Sequence, residues 1–145
     1  GTVKTLFRTA DGHPVEAVLM RYHDGRRSVC VSSQSGCPLT CTFCATGSMA
    51  FGRNLTPWEI LDQVLHYRRS EPLNHLVFMG MGEPFMNVES VLAAARRLPE
   101  IGITPRRTTI STKPSSMTGP AIVSTRPVST RCGCGRSNIG LVIFW

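Results

Sequence analysis

The chain has 145 residues, 41% of them hydrophobic, which is enough for about one domain with its own core. No apolar run has the length of a membrane span and no signal peptide opens the sequence, so a membrane protein and a secreted disulfide-rich protein are both disfavoured. We therefore expect a cytoplasmic protein whose six cysteines are reduced or metal-bound. Because the first residue is Gly1 rather than Met, we expect a fragment or a processed start.

The net charge of +7 is unevenly distributed. Residues 1–100 carry all nine acidic and ten of the sixteen basic residues, and residues 101–145 carry six basic residues and no acid. A basic excess confined to one end does not define a nucleic-acid-binding face, so charge alone says little about partners.

Three β-rich runs open the chain, and each pair of runs is separated by a turn dipeptide. The runs cover residues 3–8, 14–21 and 27–33, and the dipeptides are Asp11-Gly12 and Asp24-Gly25. This pattern predicts a β meander whose last strand leads into a cysteine-rich loop.

Two helical and two further strand patterns follow. Thr56 as N-cap, Pro57 at the first position and Glu59 completing a capping box predict a helix over residues 57–69. A short apolar run, residues 75–79, predicts a buried parallel strand.

Asn87 is predicted to cap a second helix that stops near Pro99 and Gly102, and residues 106–111 predict another strand. The resulting βαβαβ order predicts an α/β fold with a parallel sheet and right-handed crossovers. Beyond Thr112 the sequence is rich in Ser, Thr, Pro and Gly, and it shows no periodicity before residues 139–145.

Cys37, Cys41 and Cys44 have C-x3-C-x2-C spacing, with Cys30 seven residues upstream. Three soft thiolates on one short loop favour an iron–sulfur cluster or zinc. A structural zinc needs four ligands, which Cys30, Cys132 or Cys134 could in principle complete. A 4Fe-4S cluster held by three cysteines instead keeps one iron open for a substrate or cofactor.

Several motifs together resemble the radical S-adenosylmethionine superfamily, and within it the dual-specificity 23S rRNA/tRNA adenine-C2 methyltransferases and their C8-methylating relatives. The similarity covers about residues 14–112. The motifs that carry it are Cys30-Val-Ser-Ser-Gln-Ser-Gly-Cys37, Cys41-Thr-Phe-Cys44-Ala-Thr-Gly, Arg53-Asn54-Leu55, Gly80-Met-Gly-Glu-Pro84 and Arg106-Arg-Thr-Thr-Ile-Ser-Thr112.

The resemblance implies roles for the residues of these motifs. Cys37, Cys41 and Cys44 would hold three irons of a 4Fe-4S cluster, and S-adenosylmethionine would bind the fourth iron through its methionine amine and carboxylate. Reductive cleavage of that cofactor would give a 5′-deoxyadenosyl radical. Gly82 and Glu83 match the motif that receives the methionine ammonium, and Ser111 matches a further cofactor-contacting position.

Three more side chains gain implied roles. Cys30 matches one cysteine of a redox pair whose transient disulfide releases the methylated RNA, although a buried strand cysteine is the plainer interpretation of the residue alone. Glu16 matches a proton acceptor; an acid facing the interior suits that role, and one facing outward would merely be solvated. Phe43 is predicted to shield the cluster, unless it is an ordinary core aromatic.

The sequence departs from the family in its last part. The family needs a second, methyl-carrying cysteine, and the surroundings of Cys132 and Cys134 do not resemble that motif, so we expect this chain to be inactive as a methylase. We expect residues 113–145 to be an unpatterned and poorly ordered tail, from out-of-frame translation rather than natural divergence. A partial barrel also exposes an unpaired sheet edge, which favours aggregation.

These expectations combine into one prediction. Residues 1–26 form the β meander, residues 27–112 form the first βαβαβ part of an incomplete radical-enzyme barrel, and residues 113–145 form the tail. The expected partners are RNA (23S rRNA or tRNA) and an electron donor, and the expected state is a monomer without membrane contact. The alternatives are a non-methylating radical enzyme with the same cofactors and a zinc-holding nucleic-acid-binding module.

Overall fold

The computed structural model describes residues 1–103, 107–110, 122–124 and 142–144. The described strands and helices are, in chain order, β1 Thr2–Arg8, β2 Pro14–Arg21, β3 Arg27–Cys30, β4 Gln34–Ser35, β5 Arg53–Asn54, α1 Pro57–Arg68, β6 His75–Phe78, α2 Val88–Arg97, β7 Arg107–Ile110, β8 Ile122–Ser124 and β9 Val142–Phe144. Short 3-10 turns cover Ala45–Ser48, Pro84–Asn87 and Pro99–Ile101.

Five strands form one sheet in the order β1-β2-β3-β6-β7. The pairs β1–β2 and β2–β3 are antiparallel, whereas β3–β6 and β6–β7 are parallel. A meander therefore leads directly into a β3-α1-β6-α2-β7 unit, and the predicted α/β class with a partial parallel sheet is confirmed. Strands β2 and β3 lie on either side of the predicted domain boundary at residue 26 yet belong to the same sheet, and the division into domains stays a prediction.

The two faces of the sheet differ in what covers them. Alternate residues of β2, Val15, Ala17 and Leu19, are buried in the core together with side chains of the helices. Their neighbours along the strand, Glu16 and Val18, point to the other face because side chains alternate in a strand. The buried core is made up of Val15, Ala17, Leu19, Val29, Val31, Leu55, Ile60, Leu61, Val64, Tyr67, Leu76, Phe78, Val91, Ala94, Leu98, Ile103 and Ile110.

Helix α1 begins as its sequence predicts. The Thr56 hydroxyl accepts a hydrogen bond from the Glu59 backbone N–H, and the Glu59 carboxylate accepts from the Thr56 N–H at 2.9 Å. Pro57 occupies the first helical position, where its missing N–H has no intrahelical partner to lose. The capping box is confirmed, and the helix ends at Arg68, one residue before the predicted end.

The predicted cap of helix α2 is wrong. Asn87 lies at the N-cap position, but its side chain makes no capping hydrogen bond. Its Nδ2 instead donates to the carbonyl oxygens of Ser33 and Leu55, each at 2.8 Å. The carbonyl groups of Ser33 and Leu55 bind the Asn87 amide in place of the helix end, which leaves Asn87 as a tertiary link rather than a local cap.

Strand β3 is shorter than the predicted run over residues 27–33, since it ends at Cys30. The Gln63 side chain of α1 takes the place of a neighbouring strand at Ser32. Its Oε1 accepts from the Ser32 N–H at 2.9 Å, and its Nε2 donates to the Ser32 carbonyl at 3.1 Å. The chain therefore leaves the sheet three residues earlier than the apolar pattern suggests.

The last described residues form a two-stranded sheet that is separate from the five-stranded one. Strands β8 and β9 pair antiparallel, so Ile122–Ser124 is a strand that the sequence pattern missed. The rest of the predicted tail, including Cys132 and Cys134, lies outside the described residues. Among those that are described, no helix combines the length and hydropathy needed to cross a membrane.

Candidate functional site

The cysteine-rich loop is closed at its base by a two-stranded ribbon. Strands β4 and β5 pair antiparallel, with Gln34 opposite Asn54 and Ser35 opposite Arg53. The Gly52 N–H also donates to the Ser35 carbonyl at 2.8 Å. Residues 36–52 are thus a loop whose two ends are fixed to each other, which limits where its three thiols can lie.

Cys37 leaves the ribbon in a buried position with 2% of its surface exposed, and Cys41 and Cys44 lie half-buried further along the loop. The Cys44 N–H donates to the Cys41 carbonyl at 3.1 Å, so these two residues share one turn. Gly47 packs against that turn so closely that a Cβ on it would lie 2.5 Å from the Cys41 oxygen. The loop backbone is compact.

The donor set of this loop fits an iron–sulfur cluster, since it consists of three thiols within eight residues. Among the described residues, no three His, Cys, Asp or Glu side chains are arranged to hold a metal ion. The chemistry of the loop therefore supports the predicted ligands Cys37, Cys41 and Cys44, and their convergence on a cluster stays a prediction. Cys30, Cys37, Cys41 and Cys44 form no disulfide with one another, so the structure gives no support to the predicted disulfide.

The turn Gly80–Glu83 follows β6 and packs against the segment that leads into the cysteine loop. The Met81 carbonyl accepts from the N–H groups of Ser33 and Gln34, at 3.0 and 3.2 Å. The backbone of Gly82 has a φ of +93°, and a Cβ there would lie 2.5 Å from the Cβ of Gln34. The structure thus brings together two motifs that lie about 40 residues apart in the sequence, at the carboxyl ends of adjacent parallel strands.

Glu83 is buried, with 4% of its surface exposed. Its backbone N–H donates to Gln34 Oε1 at 2.8 Å, and its own Oε1 accepts from the Phe85 N–H at 3.2 Å. The carboxylate therefore begins the 3-10 turn Pro84–Asn87 in the manner of an N-cap. Ser111, the third predicted cofactor contact, lies outside the described residues.

A buried polar segment, Ser32 to Ser35, connects these parts, and the sequence analysis assigned it no role. All four residues are buried. The Ser32 hydroxyl donates to the Glu16 carbonyl at 2.5 Å and accepts from the Met81 N–H at 2.7 Å. The Ser33 hydroxyl, in contrast, is buried without a hydrogen-bond partner within the described part of the chain. Four polar residues between an apolar strand and the cysteines are the signal that could have marked this segment.

Arg53 fixes the ribbon to the rest of the fold. Its Nε donates to Asp11 Oδ2 at 2.6 Å and its Nη2 donates to Glu59 Oε1 at 2.7 Å. The Arg53 guanidinium holds the pKa of Asp11 well below its ordinary value and lowers the pKa of Glu59 from 4.5 to about 2. One arginine thereby joins the β1–β2 turn, the ribbon and the capping box of α1.

Cys30 and Glu16 lie on the face of the sheet away from the helices. Cys30 is opposite Val18 in the antiparallel pair and beside Val77 in the parallel one. Glu16 is two residues from Val18 and therefore shares that face. Its carboxylate pairs with Lys4 Nζ at 2.8 Å and its side chain is 39% exposed. The structure thus brings the two predicted catalytic residues to neighbouring strands, with Glu16 accessible rather than enclosed.

The predicted role of Phe43 stays a prediction, but one alternative is removed. Phe43 is 63% exposed, so it is not an ordinary core aromatic. Met49 and Phe51 on the same loop are also exposed. The loop therefore carries these three apolar side chains at the surface.

A cavity of about 450 Å³ lies at the opposite edge of the sheet, near the amino ends of β3 and β6. Arg21 and Arg27 line it, and both guanidinium groups pair with Glu71, through Nε–O distances of 2.6 and 3.1 Å. Because the Glu71 carboxylate already neutralises both guanidinium groups, this cavity is a poor binding site for an anion. The thiol loop and the Gly82–Glu83 turn, at the other edge, are the better candidate.

Comparison with known proteins shows which family this chain resembles. The family model of the radical SAM superfamily matches residues 31–125, more than half of the chain. A probable dual-specificity RNA methyltransferase RlmN from Deinococcus deserti is 51% identical over 120 residues, which cover 77% of this chain and 35% of the relative. Those from Rhodopirellula baltica and Thermus thermophilus are 53% and 48% identical, with 32% and 34% of their lengths covered.

A solved structure of a related protein has a similar fold over the matched residues. The crystal structure of a radical SAM methyltransferase from Sphaerobacter thermophilus superposes with a TM-score of 0.69 at 47% identity, over 77% of this chain and 35% of that one. The chain therefore spans about a third of the length of the relatives it matches. The family match covers the cysteine loop, the Gly82–Glu83 turn and strand β6 between them, and this chain belongs to the radical SAM superfamily.

Proposed function

We propose that this chain is the cluster-binding and cofactor-binding part of a radical S-adenosylmethionine RNA methyltransferase. One observation carries the proposal: the Gly82–Glu83 turn lies against the segment that leads into the thiol loop, at the carboxyl ends of adjacent parallel strands, joined to it by the hydrogen bonds of Ser33 and Gln34 to Met81. In such sheets ligands bind at this edge. The donor set on one side is suited to a cluster and the turn on the other is suited to an amino acid.

In this proposal Cys37, Cys41 and Cys44 hold a 4Fe-4S cluster, and Gly82, Glu83 and Ser111 bind S-adenosylmethionine. When bound together, the two groups would supply a reductively generated 5′-deoxyadenosyl radical. The protein's own contribution is to present three thiolates from a loop whose two ends are fixed to each other, and to supply the buried Glu83 carboxylate. The Glu83 carboxylate would accept hydrogen bonds from the methionine ammonium.

The proposed substrate and catalytic residues are taken from the similarity to the relatives. They support an RNA substrate, and we propose adenine C2 of 23S rRNA or tRNA, with an electron donor reducing the cluster in a monomeric cytoplasmic enzyme. Cys30 would be one cysteine of the redox pair and Glu16 the proton acceptor. Both lie on the same face of the sheet, two residues out of register on neighbouring strands, which is compatible with their acting on one substrate. Since no residue matches the methyl-carrying cysteine, we propose that the chain alone binds its cofactors without transferring a methyl group.

Anaerobic reconstitution tests the cofactor assignment. We expect about four irons and four sulfides per chain, and a change in the electron paramagnetic resonance spectrum of the reduced cluster when S-adenosylmethionine is added. Cys41→Ser should lose most of the iron, whereas Cys30→Ser, the matched control, should retain it. Equal iron loss in both variants would contradict the ligand assignment, and uptake of zinc with no iron would instead favour the zinc-holding module.

Two product assays test the finer assignment. Formation of 5′-deoxyadenosine after chemical reduction, with no transfer of labelled methyl to ribosomal RNA, is the expected result for this chain. Clear methyl transfer would contradict its proposed inactivity. A non-methylating radical enzyme would be indicated if a longer chain carrying the same site also cleaved the cofactor without methylating RNA.

A further inference from the structure

The side chain of Gln34 connects the two halves of the candidate site. Gln34 is 1% exposed and lies three residues before Cys37. Its Oε1 accepts from the backbone N–H of Glu83 at 2.8 Å, and its Nε2 donates to Asn54 Oδ1 at 2.7 Å. One buried amide is therefore bonded to the proposed cofactor-binding turn on one side and to the base of the thiol loop on the other.

The direction of these hydrogen bonds is determined by the backbone groups at both ends. The Glu83 N–H can only donate, so Gln34 must present its oxygen there. The Met86 carbonyl can only accept, and Asn54 Nδ2 donates to it at 3.3 Å, which turns Asn54 Oδ1 toward Gln34. The two side-chain amides thus form a series of three hydrogen bonds that runs from the Glu83 N–H to the Met86 carbonyl. Both of its end groups belong to the segment of the 3-10 turn that Glu83 begins.

The backbone supports the same link. The Gln34 N–H donates to the Met81 carbonyl at 3.2 Å, and Gln34 pairs with Asn54 in the ribbon. Gly82 lies against the Gln34 side chain, where no Cβ would fit. Displacing the Gln34 amide would therefore move Glu83 relative to Cys37 rather than affect one surface contact.

We propose that Gln34 is a positioning residue that fixes Glu83 relative to the thiol loop, so that the Glu83 carboxylate would accept hydrogen bonds from the α-amino group of the cofactor while the same cofactor is held beside Cys37, Cys41 and Cys44. This inference rests on the proposed function. Removal of a side chain that hydrogen-bonds the binding groups, rather than the bound group itself, commonly lowers the affinity of a metal site by about 10–100-fold. We expect an effect of similar size on cofactor affinity here. A merely structural glutamine would lower stability without changing cofactor affinity in the protein that remains folded.

The test compares four variants of the reconstituted full chain. Gln34→Met removes both hydrogen bonds with little change in shape, and Asn54→Leu removes the support of Gln34. Asn54→Asp keeps the acceptor for Gln34 Nε2 but loses the donor to the Met86 carbonyl, so most of the link should remain. Gln63→Met is the matched control, because Gln63 is an equally buried glutamine whose partners are Ser32 and Glu59 rather than the turn.

Three quantities are measured on each variant: iron content, the dissociation constant for S-adenosylmethionine, and the midpoint of thermal unfolding. We expect Gln34→Met and Asn54→Leu to weaken cofactor binding about tenfold at unchanged iron content. Asn54→Asp should stay within about threefold of wild type, since most of the link remains. Gln63→Met should lower the unfolding midpoint but bind the cofactor like wild type.

A fourth measurement needs no cofactor. Hydrogen exchange of the Glu83 amide in the cluster-free chain should be about tenfold faster in Gln34→Met than in wild type, since its acceptor is gone. Wild type that takes up no cluster and binds no cofactor would overturn the proposed function and this inference with it. Wild type that binds the cofactor, with Gln34→Met binding equally well or no more weakly than Gln63→Met, would overturn the inference alone.

Discussion

Gly82 lies against Gln34 at a distance that admits no side chain, since a Cβ on Gly82 would be 2.5 Å from the Gln34 Cβ and 2.8 Å from its backbone N. The φ of +93° at Gly82 adds a second reason for glycine. The family resemblance assigned this glycine to the cofactor-binding motif. The structure shows that it first lets the turn after β6 approach the segment before the cysteines.

Gly82→Ala should therefore destabilise the chain by more than backbone strain alone. Gly12 is the matched control, because its φ is +90° and a Cβ there would meet nothing within 4 Å. We expect Gly12→Ala to cost about 1 kcal/mol and Gly82→Ala about 2–4 kcal/mol, since the clash adds to the strain. Urea unfolding of both variants measures the difference, and equal losses would show that Gln34 and Gly82 are not in the described contact.

Ser32 and Ser33 should respond oppositely to removal of their hydroxyl groups. Ser32→Ala breaks two hydrogen bonds, a partly buried one to the Glu16 carbonyl and a buried one from the Met81 N–H, and should cost about 1–3 kcal/mol. Ser33→Ala removes a buried hydroxyl that has no partner in the described chain, and should be neutral or stabilising by up to about 1 kcal/mol. The free energies of unfolding test this, and a larger loss for Ser33→Ala would contradict the hydrogen-bond assignment.

Stability should fall in acid partly because of Glu59. Its pKa is lowered from 4.5 to about 2, chiefly by the hydrogen bonds from Arg53. A depressed pKa contributes stability that is fully present above about pH 4.5 and is lost as the pH falls toward 2. The thermal midpoint of wild type should therefore drop more steeply across this window than that of Glu59→Gln, which keeps the capping box but not the charge. Parallel curves would mean that the ion pair contributes nothing.

Added salt gives an independent check on the same ion pair. The Arg53 side chain is 30% exposed and that of Glu59 25%, so both are partly screened. At neutral pH the difference in midpoint between wild type and Glu59→Gln should shrink when sodium chloride is raised to about 1 M. A difference that does not depend on salt would point to packing rather than charge.

The Thr56 cap of α1 should stabilise this chain by about as much as caps stabilise other helices. Thr56→Ala removes the side-chain acceptor of the Glu59 N–H, and we expect a loss of about 1 kcal/mol. Thr56→Ser retains the hydroxyl and serves as the control, with a loss of less than about half that amount. Denaturant unfolding measures both, and an equal loss for the two variants would show that the hydroxyl is not the stabilising group.

Elements whose causes are local were predicted well from the sequence. The turns at Gly12 and Gly25, the capping box of α1 and the apolar run of β6 depend on residues within a few positions of one another. The spacing of Cys37, Cys41 and Cys44 likewise needs no fold to be recognised as a donor set. Errors arose where distant groups compete, as when the carbonyls of Ser33 and Leu55 take the Asn87 amide from the end of α2.

The sequence by itself determined the order of the five strands of the main sheet and the two helices, the α/β class and the chemistry of the thiols, because periodicity, caps and side-chain type are local properties. Only the tertiary structure decided how the site is held together. Gln63 is 31 residues from Ser32, and Gln34 is 49 residues from Glu83. Such partners meet because parallel strands bring their carboxyl ends to one edge of a sheet, where buried peptide groups must find hydrogen bonds that the sheet no longer supplies.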